Sequence, residues 1–150
     1  MRRRTRARRL ALEVLYQTDL LGPDVVEESL DSPTVRSGSE TQEFARGLVR
    51  GVMERRDDID RRIQEVAENW DLGRMATVDR NVLRLGTYEL VYRDDIPPKV
   101  TINEAVELAK LYSTAESGPF VNGILDRIKS GLETVAGGVD APADENMEDE

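Results

Sequence analysis

The spacing of apolar residues is the feature that most constrains how this chain folds. Ala7, Leu10, Ala11 and Val14 begin a stripe that runs through Thr18 to Leu21 with the i, i+3, i+4, i+7 spacing of one helix face. The same period recurs further along, and no convincing alternation of apolar and polar residues predicts a strand. We expect an all-α fold, a single globular domain of about six or seven helices.

Capping signals predict where the first helices begin and end. Thr5 is a candidate N-cap of the first helix, which Gly22-Pro23 should end. Asp24, with Glu27 three residues on, predicts a short helix over 24–30.

Two Ser/Thr-x-x-Glu/Gln capping boxes predict later helices, Ser39 with Gln42 and Thr101 with Glu104. Pro97-Pro98 argues against helix just before Thr101. The remaining helices are expected over 57–70 with the core stripe Ile59, Ile63, Val66 and Trp70, over 78–93 with Thr77 as cap, and from Gly118-Pro119 onward.

The helix over 78–93 is apolar around much of its circumference, which predicts the central and most buried helix. Gly47 and Gly51 lie four residues apart in the helix after Ser39. Small residues at this spacing usually allow two helices to approach closely, and we give them no other role.

The net charge of -9 conceals a strong polarity along the chain. Residues 1–9 hold six arginines and no acid, whereas 131–150 hold seven acids and no base. Such a basic arm is an electrostatic site for an anionic partner, unless it is simply a solvated start. A transit peptide is disfavoured because the helical stripe begins inside the arginine run. We expect a domain over 1–136 and a disordered acidic tail over 137–150.

Composition excludes most catalytic chemistry. The chain has no Cys and no His, so disulfides, Ser-His and Cys-His pairs and Cys/His zinc sites are absent. Ile124 stands where a phosphate loop starting at Gly118 would need Lys. Asp57, Asp58 and Asp60 alternate with arginines, which favours a charge-mixed helix over a Mg²⁺ site. We expect no enzyme, cofactor or metal, and no membrane span or signal peptide, hence a cytoplasmic chain.

Binding of RNA is the better-supported chemistry. On a helix Arg2, Arg6 and Arg9 share one face, and Tyr16 continues it. Guanidinium groups bind phosphates and an aromatic ring stacks an unstacked base, which suits single-stranded RNA better than a duplex. Tyr16 could equally lie at the core edge, and Phe120 could face the core or the solvent. Asn122 could contact a base or phosphate, or only water.

Four segments together resemble the NusB family of bacterial transcription antitermination factors. The likeness spans about residues 4–130 and is weakest between 22 and 45. It is carried by RTRAR with the following AL and LY within 4–16, VLRLGTYEL at 82–90, IPPKVTINEAVELAK at 96–110 and FVNGILD at 120–126.

The resemblance implies two packed helical subbundles and no catalysis. Family members bind boxA, a short element of nascent ribosomal RNA, together with NusE, which is also a small-subunit ribosomal protein. The complex joins RNA polymerase with other Nus factors and suppresses premature termination. Some members are dimers, so a homodimer stays open here.

The resemblance also assigns residues. It implies RNA contacts by the arginine-rich start, by the aromatics Tyr16 and Phe120 and, as a candidate, by Asn122. Asp79 falls where the family contacts NusE, with Met75 and Arg80 as neighbours, and Glu116 matches a position that tunes the complex. Thr5 stands where some relatives have Arg, which other arm residues could offset. The arm arginines are Arg2, Arg3, Arg4, Arg6, Arg8 and Arg9.

The chief rival is a non-catalytic helical protein-interaction module whose arm binds an acidic protein surface. Related helical domains also precede some RNA methyltransferases, but 150 residues leave no room for a cofactor-binding domain. Sequence-selective RNA binding would separate the two remaining hypotheses.

The acidic tail lies outside the family pattern, and our hypothesis is that it folds back on the basic arm. Deleting 137–150 should then tighten binding to random RNA at low salt, because a competing polyanion is removed. Filter binding at two salt concentrations measures this, and unchanged affinity would discard the idea.

Overall fold

The computed structural model describes residues 2–30 and 39–137, and within them the chain forms seven α-helices and no strand. The all-α expectation is confirmed. The tail from residue 138 and the segment 31–38 lie outside the described residues. The helices are α1 (Arg3–Leu21), α2 (Val26–Leu30), α3 (Ser39–Glu54), α4 (Arg56–Val66), α5 (Thr77–Tyr92), α6 (Pro98–Tyr112) and α7 (Ser117–Gly137).

Two groups of helices meet on a shared central helix. In the first, α1 packs extensively along α3, with α2 beside α1. In the second, α6 pairs with α7, and α4 contacts α7. Helix α5 touches α1, α3, α4, α6 and α7, and every side chain of 81–87 is buried. The two subbundles and the buried central helix are therefore confirmed.

The periodic stripe of α1 supplies one wall of the core. Its residues from Ala7 to Leu15 that follow the helical period are buried, and Thr18 continues them. Leu21, the last member of the expected stripe, is 71% exposed. The helix ends at that residue because Gly22 has a φ of 102°, a conformation that favours glycine.

One of the two glycines in α3 marks a close approach between helices. A Cβ on Gly51 would overlap the Tyr88 ring, so only glycine allows this ring to pack there. Gly47 faces open space, and its expected role in helix approach was wrong.

Several expected helix starts were wrong, and proline explains one of them. Helix α6 begins at Pro98, with Pro97 as N-cap, because the first helical position needs no N–H. Thr101 and Glu104 consequently lie inside the helix and form no capping box. Thr5 likewise lies inside α1, whose N-cap is Arg2.

The other helix starts differ from the expected positions by a single residue. Helix α5 begins at Thr77 itself, with Ala76 as N-cap. The last helix begins at Ser117, one residue before Gly118. Helix α3 likewise begins at Ser39 itself, so Ser39 is its first helical residue and not the expected N-cap.

Helix α4 ends at Val66, four residues earlier than expected. The Gln64 side chain binds the chain that follows: its Nε2 donates to the carbonyl oxygens of Ala67 and Trp70, and its Oε1 accepts from the Leu72 N–H. Ile59 and Ile63 lie in the core as expected, but Trp70 is 59% exposed, so its assignment to the core stripe was wrong.

A buried ion pair joins the two groups of helices. Arg8 of α1 donates from Nε and Nη2 to the two carboxylate oxygens of Glu89 in α5, at 2.7 and 3.0 Å. Both side chains are at most 4% exposed. The Thr101 hydroxyl of α6 donates to the same carboxylate at 2.7 Å. Glu104 accepts from Arg8 and from the Thr5 hydroxyl, so α1, α5 and α6 share one network.

The acidic cluster at the start of α4 is paired with arginines, as expected. Asp58 accepts from Arg62 Nε at 2.8 Å, and Asp60 accepts from both ends of the Arg84 guanidinium at 2.8 and 3.1 Å. In the described ranges no group of three or more acidic side chains could hold a metal ion. No described helix is long and apolar enough to cross a membrane.

Glu89→Ala should lower the free energy of unfolding by about 3–5 kcal/mol, because it leaves the Arg8 charge buried without a partner. Urea unfolding measures the loss. The double variant Arg8→Met, Glu89→Leu should recover most of it, since no unpaired charge remains. Equal losses in both variants would contradict the assigned role of the ion pair.

The pairing of Asp58 predicts a pH-dependent stability. Hydrogen bonds from the Tyr92 hydroxyl and from Arg62 lower the pKa of Asp58 from 3.8 to about 2. A depressed carboxyl pKa stabilises the fold above pH 3.8, and this contribution disappears as the pH falls through 2. Thermal melts of wild type and Asp58→Asn should therefore differ at pH 6 and converge from pH 4 to 2. A difference that stays constant over that range would show that the carboxylate charge is not involved.

Candidate nucleic-acid interface

The arginine-rich arm forms the first two turns of α1. Arg2 is the N-cap, and its carbonyl oxygen accepts from the Arg6 N–H at 3.0 Å. Because successive residues of a helix point about 100° apart, the arginines project to different sides. The arm is therefore several local sites and not one uniform basic surface.

Arg8 does not belong to the exposed part of the arm. Its guanidinium is 4% exposed and is bound to Glu89 and Glu104. The expected RNA contact by Arg8 is therefore corrected: its charge is matched inside the fold by Glu89 and Glu104 and is not presented to a ligand.

Arg3 and Arg4 lie on the side of α1 that faces α3. Arg3 forms an ion pair with Glu40. The Arg4 guanidinium lies 4.5 Å from the centre of the Phe44 ring and 3.9 Å from Asp95. Both arginines line an open cavity of about 600 Å³ that also contains Arg93. Exposed ion pairs of this kind exchange partners at little cost, so both arginines can still bind phosphate.

Asp95 organises this side of the arm from the loop between α5 and α6. Arg93 donates to both of its carboxylate oxygens at 2.9 Å, and this contact lowers the pKa of Asp95 to about 2. The Arg93 guanidinium also covers the Phe44 ring, 5.1 Å from its centre. Phe44 thus has guanidinium groups of Arg4 and Arg93 against it, a favourable cation–π arrangement.

Arg2, Arg6 and Arg9 lie on the outer side of α1, as their spacing predicted. Arg2 and Arg6 are exposed, and their side chains bind none of the described residues. Arg9 donates from Nε to the Tyr112 hydroxyl at 2.8 Å and lies over that ring. This face carries two guanidinium groups that no described residue binds.

Tyr16 has both of the characters that the sequence left open. It is 38% exposed, so it lies at the core edge with part of its ring in water. Together with Tyr112 and Val78 it lines a mostly apolar groove of about 280 Å³. Arg9 therefore borders the same groove through its contact with Tyr112. The sequence did not indicate Tyr112, because only the tertiary contact places this residue beside α1.

Phe120 lies in the first turn of α7 and is half-buried. One side packs on the core, and its ring meets Trp70 edge to face, with centroids 5.7 Å apart and planes at 70°. Asn122 is exposed and borders a wide cavity between α6 and α7 with Lys110 and Asn103. Trp70 continues the helical spacing of the core residues before it, so the sequence pattern alone did not indicate that it is exposed.

The four residues assigned to a protein partner differ in accessibility. Glu116 is exposed, and Asp79 is half-buried with an Oδ1 that finds no hydrogen-bond partner among the described residues. Met75 is 7% exposed and belongs to the core, so its expected partner contact is corrected. The Arg80 side chain also forms its hydrogen bonds within the protein.

Arg80 holds the segment before α5 in place. Its Nε donates to Asp19 at 2.8 Å, and its Nη1 reaches the carbonyl oxygens of Leu72, Gly73 and Met75 at 3.2 to 3.5 Å. Burial alone would raise the pKa of Asp19, but hydrogen bonds from Arg80 and Asn81 hold it below its ordinary value. Arg80 therefore positions the first turn of α5, and with it Asp79, without facing a partner itself.

Comparison with known proteins agrees with this arrangement. The model of the NusB family matches residues 5–130. The transcription antitermination protein NusB of Anaeromyxobacter dehalogenans is 50% identical, over 87% of this chain and 92% of its own.

Solved structures give the same result. NusB of T. maritima is 44% identical, with a TM-score of 0.76 over 87% of this chain and 92% of its own. A structure described as antitermination factors NusB and NusE in complex with dsRNA is 31% identical, with a TM-score of 0.77 over 87% of this chain and 98% of that one. Sequence and fold thus agree over nearly the whole described chain, which belongs to the NusB family of transcription antitermination proteins, non-catalytic factors and not enzymes.

Proposed function

We propose that this chain binds boxA RNA of nascent ribosomal RNA transcripts together with NusE, and so helps RNA polymerase to read through terminators. One observation carries the proposal: the outer face of α1 places the uncommitted guanidinium groups of Arg2 and Arg6 beside the Arg9–Tyr112–Tyr16 groove. A related structure of NusB and NusE in complex with dsRNA supports the binding of RNA and of NusE, though not the preference for a single strand.

The RNA face combines charge with aromatic surface. The guanidinium groups bind phosphates without regard to sequence and set the position of the strand. The exposed part of the Tyr16 ring, and Phe120 at the start of α7, offer surfaces on which unstacked bases can stack. Asn122, exposed two residues after Phe120, has an amide able to pair with a base edge. Single-stranded RNA suits such a face better than a duplex, whose bases are already stacked.

The partner face is centred on Asp79. No described residue donates to its buried Oδ1, which is costly in the isolated chain, and the accessible remainder of the half-buried carboxylate is free to accept from a partner. Arg80, bound to Asp19 and to three carbonyl oxygens, keeps that carboxylate in place. Glu116 adds exposed negative charge before α7. A basic ribosomal protein such as NusE complements both acids.

The wider assembly follows from the same proposal. The RNA-bound complex would join RNA polymerase with other Nus factors, which places the chain in the cytoplasm. Residues 1–136 would form the binding domain, with the acidic tail after it. A homodimer that covered one of these faces would compete with RNA or with NusE.

The competing function is a protein-interaction module without sequence-specific RNA binding. The ion pairs of Arg3 with Glu40 and of Arg4 with Asp95 show that the arm can hold carboxylates. Such a module would bind RNA, if at all, in proportion to charge alone.

The test is a titration of the full chain against labelled boxA RNA, a scrambled strand and a duplex of the same length, with and without NusE from the same source. We expect the tightest binding to single-stranded boxA and a further gain with NusE. If Arg2, Arg6 and Arg9 contact phosphate, log affinity should fall with log salt at a slope of about -2, and Arg6→Ala should reduce that slope by about 0.7.

The partner arm of the same test uses Asp79→Arg. The charge reversal faces a basic surface, so NusE affinity should fall at least tenfold while RNA binding by the chain alone is kept. Glu54→Arg is the control, since Glu54 is an exposed acid at the end of α3 to which we assign no contact with a partner. Equal binding to all three RNAs, indifferent to NusE, would overturn the proposal in favour of the interaction module.

A further inference from the structure

Trp70 is the single tryptophan of the chain, and it lies on the surface between α4 and α5. Its side chain is 59% exposed although it is the largest aromatic group present. Removing such a ring from water is favourable, so a partner that covers it gains binding energy.

The backbone that carries Trp70 is held firmly. Its N–H donates to the Ala67 carbonyl oxygen at 3.0 Å, and its own carbonyl oxygen accepts from Gln64 Nε2 at 2.7 Å. Gln64 Oε1 accepts from the Leu72 N–H at 2.9 Å, which fixes the chain on the far side. The backbone at Trp70 is thus ordered before a ligand binds, which reduces the conformational entropy lost when a ligand covers the indole.

Trp70 and Phe120 together make a corner. Their planes meet at 70° with centroids 5.7 Å apart, so a flat group that stacks on one ring presents its edge to the other. The corner is continuous with the proposed RNA interface, since Phe120 is one of the aromatics that we assign to it.

The charged residues near Trp70 and Phe120 determine which ligands can bind between the two rings. Glu68 and Asp71 flank Trp70 in the chain, and Glu116 lies one turn before Phe120; all three are exposed. These acids repel phosphate groups, with Arg74 the one basic residue close in sequence. A neutral aromatic group is the ligand that this combination favours, and in RNA that group is a base whose phosphates point away.

We propose that Trp70 is a second base-binding residue next to Phe120, which takes one unstacked base of the RNA. This rests on the proposed RNA-binding function and names a contact within it. Because the contact is to a base, its contribution is independent of salt, unlike that of the arm arginines.

The single tryptophan makes the test direct. Indole emission of the full chain is followed while boxA RNA is added, with binding measured separately on labelled RNA. We expect quenching that saturates with binding, and protection of the indole from acrylamide in the complex. Trp70→Leu should weaken boxA binding about tenfold with an unchanged salt slope, whereas Trp70→Phe should keep most of the affinity. Leu20→Ala, which shortens a side chain with 58% exposure, is the matched control and should change nothing.

Other results would overturn the proposal in distinguishable ways. If boxA binds but Trp70→Leu binds it equally well, Trp70 is not a base contact while the proposed function stands. If Trp70→Leu weakens only NusE binding, the corner belongs to the protein partner. A lower melting temperature with unchanged RNA affinity would make it a packing residue alone. No boxA binding by the wild type would remove the proposed function and this contact together.

Discussion

The buried contact between Arg8 and Glu89 determines how the rest of the interface is arranged. Two charges that are almost fully removed from water are tolerable only because they meet through two hydrogen bonds, with Thr101 and Glu104 completing the network. This network fixes the rotation of α1 about its own axis against α5 and α6. Once that rotation is set, helical geometry decides which arm residues face the solvent.

The six arginines of the arm consequently have different roles although they are chemically identical. Arg8 is part of the core, and Arg3 and Arg4 rest in exchangeable surface contacts with Glu40, Asp95 and Phe44. Arg2 and Arg6 project outward. The contribution of each guanidinium thus follows from its place on the helix, and the number of arginines alone overstates the charge available to RNA.

Much of the fold was predictable because it depends on local chemistry. Apolar periodicity predicted α1 and the buried α5, and Gly22 ended the first helix as expected. The predictions failed where a contact between residues distant in sequence determines the local structure. The capping box at Thr101 was a plausible local pattern, yet its hydroxyl binds Glu89 and the helix begins earlier, at Pro98. Trp70 continued a helical stripe in sequence, but Gln64 ends the regular structure before it.

The candidate site could likewise be predicted only in part from the sequence. The outer face of Arg2, Arg6 and Arg9 followed from spacing alone, since one helix carries all three. The burial of Met75 and the internal use of Arg80 did not, because both depend on how the segment before α5 packs against α1. A sequence pattern reports the periodicity of one element, whereas exposure depends on every element packed against it.

Few arginines of the arm point into solvent, and this affects how a protein of net negative charge selects one RNA sequence. Non-specific affinity for RNA rises with the number of phosphates neutralised, so we expect an arm with few outward guanidinium groups, on a chain of net charge -9, to bind random RNA weakly. Selectivity must then come from contacts that read bases, for which the partly exposed rings of Tyr16, Phe120 and Trp70 are suited. Their stacking energy is short-ranged and needs bases that can leave their stack. A second protein on the Asp79 face would add affinity without adding non-specific charge to this chain, which explains why binding would depend on two components.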